Sequence, residues 1–182
     1  FYVTADGGSE SEVTPVAKFT GSVTIETVAY NVELALYEDI MPRSADADQY
    51  LEYNYLMSTN SEYVVKAYEN YNRLEILKIT DGYQIVPKVV IWGDERTGDL
   101  EHFYYNDVVC AEKIFLALHT PKGSENSIIE IFNYDGELLN CLSANSYFTN
   151  IEYDSRLNTI LCYNGDSDKN IFYIIDLNKV AN

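Results

Sequence analysis

The feature that most constrains the fold is a ladder of short, strand-like hairpins that returns along the chain. Runs rich in Val, Ile, Tyr and Phe alternate with turn signals about every 8–12 residues, a pattern typical of all-β chains. The clearest copy contains the runs 63–68, 73–79 and 83–91. The second of its two turns is Asp81-Gly82, which tolerates the positive φ that tight hairpins require.

The same order of runs and turns occurs twice more. The second copy has Asp135-Gly136 at its second turn, and the third copy ends near residue 176. One further run precedes each copy, at 50–58, 102–110 and 147–153. Taking Tyr63, Lys113 and Asn158 as equivalent positions gives intervals of 50 and 45 residues. Four-stranded units that repeat at this interval are typical of a β-propeller.

We therefore predict an all-β fold of β-propeller blades, each with four antiparallel strands, in a single propeller region over residues 1–182. The approximate units are 1–42, 49–93, 102–146 and 147–182, and the last of them lacks an outer strand. Residues 1–42 are the least regular, and their strand-like runs have no assigned place in a blade. Residues 41–48 are interpreted as a loop between units, with a short helix capped by Ser44 as the alternative.

The charge balance excludes two classes of partner. The chain has 12 Lys and Arg against 29 Asp and Glu, a formal charge of −17, and its cations form no basic run. Nucleic acids and anionic membrane surfaces both bind clustered cations, so neither is an expected partner. Apolar residues make up 47% of the chain, enough to bury a substantial core. No apolar run approaches the ~18 residues of a membrane span.

Strand and turn motifs in the second half of the chain resemble a known family. These motifs are Tyr104 to Val109, Ile129 to Gly136, Asn150 to Asp154 and Thr159 to Tyr163. They are similar to the last two blades of the TolB-like six-bladed β-propellers of exported bacterial proteins, and the similarity extends over about residues 49–178. The resemblance implies a partial six-bladed propeller, an extracytoplasmic location (periplasmic or cell-surface), and a non-enzymatic binding or scaffold function with no cofactor.

The chain is shorter than that family requires. Six units of about 45 residues exceed its 182 residues, and it opens at Phe1 without Met. We therefore expect the C-terminal portion of a larger propeller, which pairs with the remainder of its own ring or self-associates through its terminal blades. The alternative is a small four-unit ring closed by an N-terminal strand such as 13–19.

Tyrosine is unusually abundant, with 17 residues, and several cluster in the predicted innermost strands. The candidate binding residues are Tyr50, Tyr53, Tyr55, Tyr104 and Tyr105. One interpretation is packing between blades, with each hydroxyl bonded to a partner or to water. The functional interpretation is an aromatic-lined mouth that binds a glycan or a protein segment.

The alternative function is a hydrolase or lyase acting on a glycan or peptide, with carboxylates as acid and base at the axial mouth. Nothing singles out a pair among the 29 acids, so we predict no catalytic residue. A buried carboxylate pair beside a His or Arg would favour the enzyme. His102 and His119 lack the spacing of zinc ligands, and 166–170 matches only the start of a calcium loop, so we predict no metal site.

The three cysteines, Cys110, Cys141 and Cys162, lie in strand-like runs without a C-x-x-C pair. We predict free thiols buried as small apolar groups. A single disulfide among them is the open alternative, and the sequence does not choose the pair.

Overall fold

The structure is a computed structural model that describes residues 25–27, 33–35, 54–93, 101–165 and 172–180. Every strand pairing in these ranges is antiparallel, and none of these residues is helical. In chain order the strands are β1 (Ile25–Thr27), β2 (Glu33–Ala35), β3 (Tyr55–Thr59), β4 (Tyr63–Tyr68), β5 (Arg73–Ile79), β6 (Ile85–Trp92), β7 (Tyr105–Cys110), β8 (Ile114–His119), β9 (Ile128–Asn133), β10 (Leu138–Ala144), β11 (Asn150–Asp154), β12 (Thr159–Tyr163) and β13 (Phe172–Asp176).

These strands form three sheets, which we number along the chain. The first sheet has the order β2-β6-β5-β4-β3, the second β1-β10-β9-β8-β7, and the third β11-β12-β13. Within the first two sheets, four consecutive strands follow one another as hairpins, as the repeat predicted. The short strands β2 and β1 each add a fifth strand, beside β6 and β10 respectively. The all-β class and the four-stranded antiparallel units are therefore confirmed.

Hairpins occur at both predicted Asp-Gly turns, but only one of them uses its glycine at positive φ. The second-sheet turn closes with the Gly136 amide donating to the Asn133 carbonyl, and Gly136 has φ 85°. In the first-sheet turn, the Tyr83 amide donates to the Thr80 carbonyl. Tyr83 therefore occupies the position that Gly136 has in the second-sheet turn, and its φ is 56°. Gly82 lies one residue too early to take the left-handed conformation.

The sheets pack face to face in series. One apolar core joins the first and second sheets and contains Ile76 and Leu74 against Phe115 and Phe132. A second core joins the second and third sheets and includes Leu116. The second sheet is therefore covered on both sides, which explains why Phe115 to His119 on β8 are all buried. We call the side of a sheet that faces the next sheet in chain order its forward face.

The first strands of the three sheets lie next to one another. Strand β7 contacts β3 on one side and β11 on the other. Polar side chains connect these strands. The backbone amide of Cys110 donates to Ser58 Oγ at 3.0 Å, and that of Ile151 donates to Asp107 Oδ2 at 2.9 Å. Burial raises the pKa of Asp107, and the hydrogen bonds that it accepts from the backbone amides of Ile151 and Val108 oppose the shift. The first strands of the three sheets thus form one continuous layer.

All three cysteines have free thiols, as predicted. Cys141 and Cys162 are buried, whereas Cys110 is only partly buried. Several other predictions fall outside the described residues. They are Tyr50 and Tyr53 as binding residues, the loop or helix at 41–48, and the calcium-like segment 166–170.

Candidate functional site

One end of the second sheet carries two neighbouring open depressions formed by three loops. Residues 101–104 lead into β7, residues 120–127 join β8 to β9, and residues 145–149 join β10 to β11. The smaller depression measures about 220 Å³ and the larger about 480 Å³, and Ser124 and Tyr147 line both. Because they share these two residues, we treat them as the two halves of one feature, which we call the loop-end depression.

Local hydrogen bonds fix the loop 120–127 that separates the two halves. The amide of Ser124 donates to the Pro121 carbonyl at 3.0 Å, and Gly123 takes φ 74° as the third residue of this turn. A side chain there would be strained, which explains the glycine. The buried Ser127 then ties this loop to the next one, since its Oγ accepts the amide of Phe148 at 2.9 Å.

The lining combines amides, hydroxyls, two carboxylates, the imidazole of His102 and two further aromatic rings. Asn106 is held in place because its Nδ2 donates to Thr120 Oγ1 at 2.8 Å. Phe103 is 57% exposed, and Tyr147 is half-buried. The carboxylates, Glu101 and Glu125, are both exposed. Fixed amides and hydroxyls beside exposed rings can hydrogen-bond a polar ligand and stack against its apolar side.

Beneath the smaller half lies a column of three rings. His102 lines the depression and meets Tyr104 edge-on with ring centroids 4.6 Å apart. Tyr104 in turn stacks on the buried His119 at 6.2 Å. Burial, and to a lesser degree an electrostatic interaction with His102, lower the pKa of His119 to about 4. His119 is therefore neutral at physiological pH.

A buried polar chain lies deeper, between the first and second sheets. The Tyr105 hydroxyl lies 3.0 Å from Asn72 Oδ1 and 3.2 Å from Glu130 Oε2. Glu130 is fully buried, and this desolvation raises its pKa to about 8. The Tyr105 hydroxyl has one proton for these two acceptors, and its hydrogen bond to Glu130 Oε2 lowers the pKa of that carboxyl against the larger effect of burial. Gly93 makes room for this arrangement, because a Cβ there would clash with the Asn72 amide.

A second group of buried charges lies on the opposite face of the first sheet. Arg73 hydrogen-bonds Glu75, and Lys66 Nζ lies 3.8 Å from the other Glu75 oxygen. The Arg73 guanidinium also stacks over Tyr68 and Trp92, at 4.6 and 5.2 Å from their ring centroids. This group holds a single carboxylate and does not line the loop-end depression.

The structure brings Tyr104 and Tyr105 together under the loop-end depression, but both rings are buried. Tyr55 is 37% exposed and lies elsewhere, on the first sheet beside Tyr68 and under Lys66 Nζ. A binding role for these tyrosines stays a prediction.

Sequence reasoning missed the residues that surround the depression. Asn106 lies at the start of β7 and Phe103 in the segment just before it, whereas Tyr147 comes from the loop between β10 and β11, and only the tertiary arrangement brings these two segments together. A signal for Glu130 was present, because it is the single charge within the apolar run Ile128 to Phe132. A charge in such a run indicates either a strand exposed on one side or a buried ionisable group.

No family model and no curated protein matches this chain. Within the described ranges, no group of three or more His, Cys, Asp and Glu side chains is placed to hold a metal ion. The same residues include no helix with the length and apolar character needed to cross a membrane.

Proposed function

We propose that the protein is a non-enzymatic binding or scaffold module with a β-propeller arrangement, and that the loop-end depression binds an uncharged oligosaccharide. Two features support the arrangement: the sheets pack face to face in series, and their first strands form one continuous layer. Face-to-face packing of successive four-stranded sheets, with first strands adjacent, is the geometry of propeller blades.

The side chains that line the depression are the main evidence for an oligosaccharide ligand. Asn106, Ser124 and Asn145 supply amide and hydroxyl groups, and Phe103 and Tyr147 supply ring faces. Sugars present hydroxyls at their edges and C–H groups on their faces, so this combination matches both parts of a sugar ring. The depression is shallow and open, which suits a short stretch of a polymer rather than an enclosed small molecule.

The hydrolase or lyase alternative gains no support from the described residues. Glu101 and Glu125 are exposed and line different halves of the depression. Glu130 is fully buried between sheets and does not line the depression. No buried carboxylate pair accompanies His102 in this part of the chain.

Location and partners follow from the resemblance to exported propellers. We propose that the module acts outside the cytoplasm, and that its terminal blades pair with the remainder of its ring or with another copy. The strong negative charge of the chain is compatible with a location outside the cytoplasm, and it offers no attraction for nucleic acid.

Binding to an array of neutral and acidic oligosaccharides, followed by calorimetry on the best ligand, tests the proposal. Phe103→Ala and Tyr147→Ala should each weaken binding at least about tenfold, whereas Tyr83→Ala, at an exposed aromatic on a distant hairpin, should not. Absence of binding to every neutral glycan, or equal affinity in all variants, would overturn it. Selective binding to a displayed peptide library would assign the depression to peptides instead.

A further inference from the structure

The first hairpin of the second sheet contains a β-bulge that has no counterpart in the first hairpins of the other two sheets. The register of β7 against β8 shifts by one residue between Tyr105 and Asp107, and Asn106 is the extra residue. The hairpins β3-β4 and β11-β12 occupy the same place in their own sheets and pair without interruption. A bulge turns a side chain away from the direction that strict alternation would give it. The repeated architecture therefore does not account for the direction of Asn106.

The Asn106 side chain connects two of the loops that surround the loop-end depression. Its Nδ2 donates to Thr120 Oγ1 at 2.8 Å, at the start of the loop 120–127. The same nitrogen donates to the Phe148 carbonyl at 3.2 Å, in the loop 145–149. One amide group therefore joins both loops to the start of β7.

The chemistry of these two bonds fixes which way the Asn106 amide is turned. A carbonyl oxygen can only accept a hydrogen bond, so the nitrogen of Asn106 must face Phe148. Both protons of that nitrogen are then used, one for each loop. The remaining polar atom is Oδ1, which can only accept. Asn106 is half-buried and lines the smaller half of the depression, so Oδ1 is the atom that it can offer to a ligand.

The two partners of Asn106 are themselves held in place by buried groups. Thr120 is buried, and its backbone amide donates to the Tyr104 carbonyl at 3.1 Å. Phe148 is fully buried in the core against the forward face of the second sheet, and its backbone amide donates to Ser127 Oγ at 2.9 Å. The Asn106 amide is therefore oriented before any ligand arrives, which lowers the entropic cost of binding.

We propose that Asn106 determines the specificity of the loop-end depression, because its Oδ1 accepts a hydrogen bond from a hydroxyl group of the ligand. This inference rests on the proposed function and deepens it, since it names the ligand group that is recognised. A fixed acceptor selects a hydroxyl that still carries its proton. It disfavours an ether at the same position, because an ether oxygen has no proton to donate and the two acceptors would face each other unpaired.

Nuclear magnetic resonance with two small probes tests the acceptor before any sugar is identified. Ethylene glycol carries two hydroxyl protons, and 1,2-dimethoxyethane has the same two oxygens without them. The side-chain amide signals of Asn106 should shift at least about threefold further with the glycol than with the diether. Asn133 is the internal control, because its Oδ1 already accepts the backbone amides of Asp135 and Glu137. Its side-chain signals should respond equally to the two probes.

Two variants separate recognition of the ligand from support of the loops. Asn106→Leu removes the acceptor, whereas Ser127→Ala removes the bond at the Phe148 amide and leaves Asn106 intact. For the best-binding neutral oligosaccharide, methylation of the recognised hydroxyl should raise the Kd of the unmodified chain about three- to tenfold. This ratio should fall to about one in Asn106→Leu, and Ser127→Ala should weaken both ligands but keep the ratio.

Equal shifts of the Asn106 signals with the two probes, or a methylation ratio that persists in Asn106→Leu, would overturn the proposal. If Asn106 responds to the glycol alone but no oligosaccharide binds, the acceptor is supported and only the proposed sugar ligand fails. Circular dichroism and thermal unfolding show whether each variant is folded. If Asn106→Leu does not fold, the probe titration of the unmodified chain still decides the result.

Discussion

At the scale of the residue, Glu130 is the most unusual group in the described chain. It lies in a strand between two sheets, directly across from Ala117 and Cys141. Burial, together with the charge of Glu130, raises the pKa of Cys141 to about 12. Both groups are therefore protonated near neutral pH, and the interface carries no net charge at this point.

Glu130 should make the protein less stable as the pH rises. Its pKa is about 8 in the folded state against 4.5 in the unfolded chain, so the folded state holds a proton that the unfolded state has released. The resulting stabilisation is complete below about pH 4.5 and is lost as the pH rises through about 8. We expect a loss of about 1 kcal/mol in the free energy of unfolding between pH 7 and 8.

Urea unfolding at pH 7.0, 7.5 and 8.0 measures this slope, and Glu130→Gln should abolish it. The effect of His119, whose pKa is about 4 in the folded state against 6.5 in the unfolded chain, falls mostly below pH 7 and has the opposite sign. Glu112→Gln, at an exposed acid in a turn, is the control and should keep the wild-type slope. A slope that persists in Glu130→Gln would contradict the assignment.

Removing the Tyr105 hydroxyl should destabilise the interface between the first and second sheets. Tyr105→Phe deprives the buried Glu130 carboxyl of its hydrogen bond, which costs about 1–3 kcal/mol. Since that bond lowers the pKa of Glu130, the midpoint of the pH effect should also move upward. Tyr153→Phe, which removes a part-buried hydroxyl bonded to Asn158, should cost less. Equal losses in the two variants would argue against a special role for the buried chain.

At the scale of the element, the two Asp-Gly hairpins differ by one residue in where the glycine falls. Tyr83 is 90% exposed and takes a left-handed φ of 56°, a conformation that costs a non-glycine residue about 1 kcal/mol or more. Gly136 occupies the same turn position without that cost.

Adding a glycine at the first position and removing the glycine at the second should therefore change the stability of the protein in opposite directions. Tyr83→Gly should stabilise the protein by up to about 1 kcal/mol, because the strain it relieves exceeds the added flexibility of the unfolded chain. Gly136→Ala should destabilise it by about 1–2 kcal/mol, because φ 85° is unfavourable for alanine. Denaturant midpoints measure both changes, and a destabilised Tyr83→Gly would show that the exposed ring contributes contacts of its own.

At the scale of the whole molecule, equivalent residues of successive sheets differ only in what covers them. Leu116 is fully buried between sheets, whereas Leu161 at the equivalent position of the third sheet is half-buried. Leu116→Ala should cost about 2–5 kcal/mol in the free energy of unfolding, and Leu161→Ala less than about 1.5 kcal/mol. Costs of the same size would mean that Leu161 is packed as closely as Leu116.

The repeat allowed much of the architecture to be predicted from the sequence. Alternating apolar runs and Asp-Gly turns indicated the hairpins, because side-chain period and turn chemistry are local properties. The spacing of Tyr63, Lys113 and Asn158 indicated repeated units for the same reason, although the hairpin register aligns Lys113 and Asn158 with Glu62, one residue before Tyr63. The candidate site was harder to predict from the sequence. Tyr104 and Tyr105 were chosen for their ring chemistry, whereas the depression is lined by loop residues such as Phe103.

The sequence by itself determined the all-β class, the strand order within each unit and the positions of the turns, since these depend on neighbours along the chain. The tertiary structure decided what each face meets. It placed Glu130 in a buried position between two sheets, buried Leu116 while it left Leu161 half-buried, and gathered three distant loops around one depression. Burial depends on which sheets pack together, and residues with the same local pattern, such as Leu116 and Leu161, therefore acquire different energies and different roles.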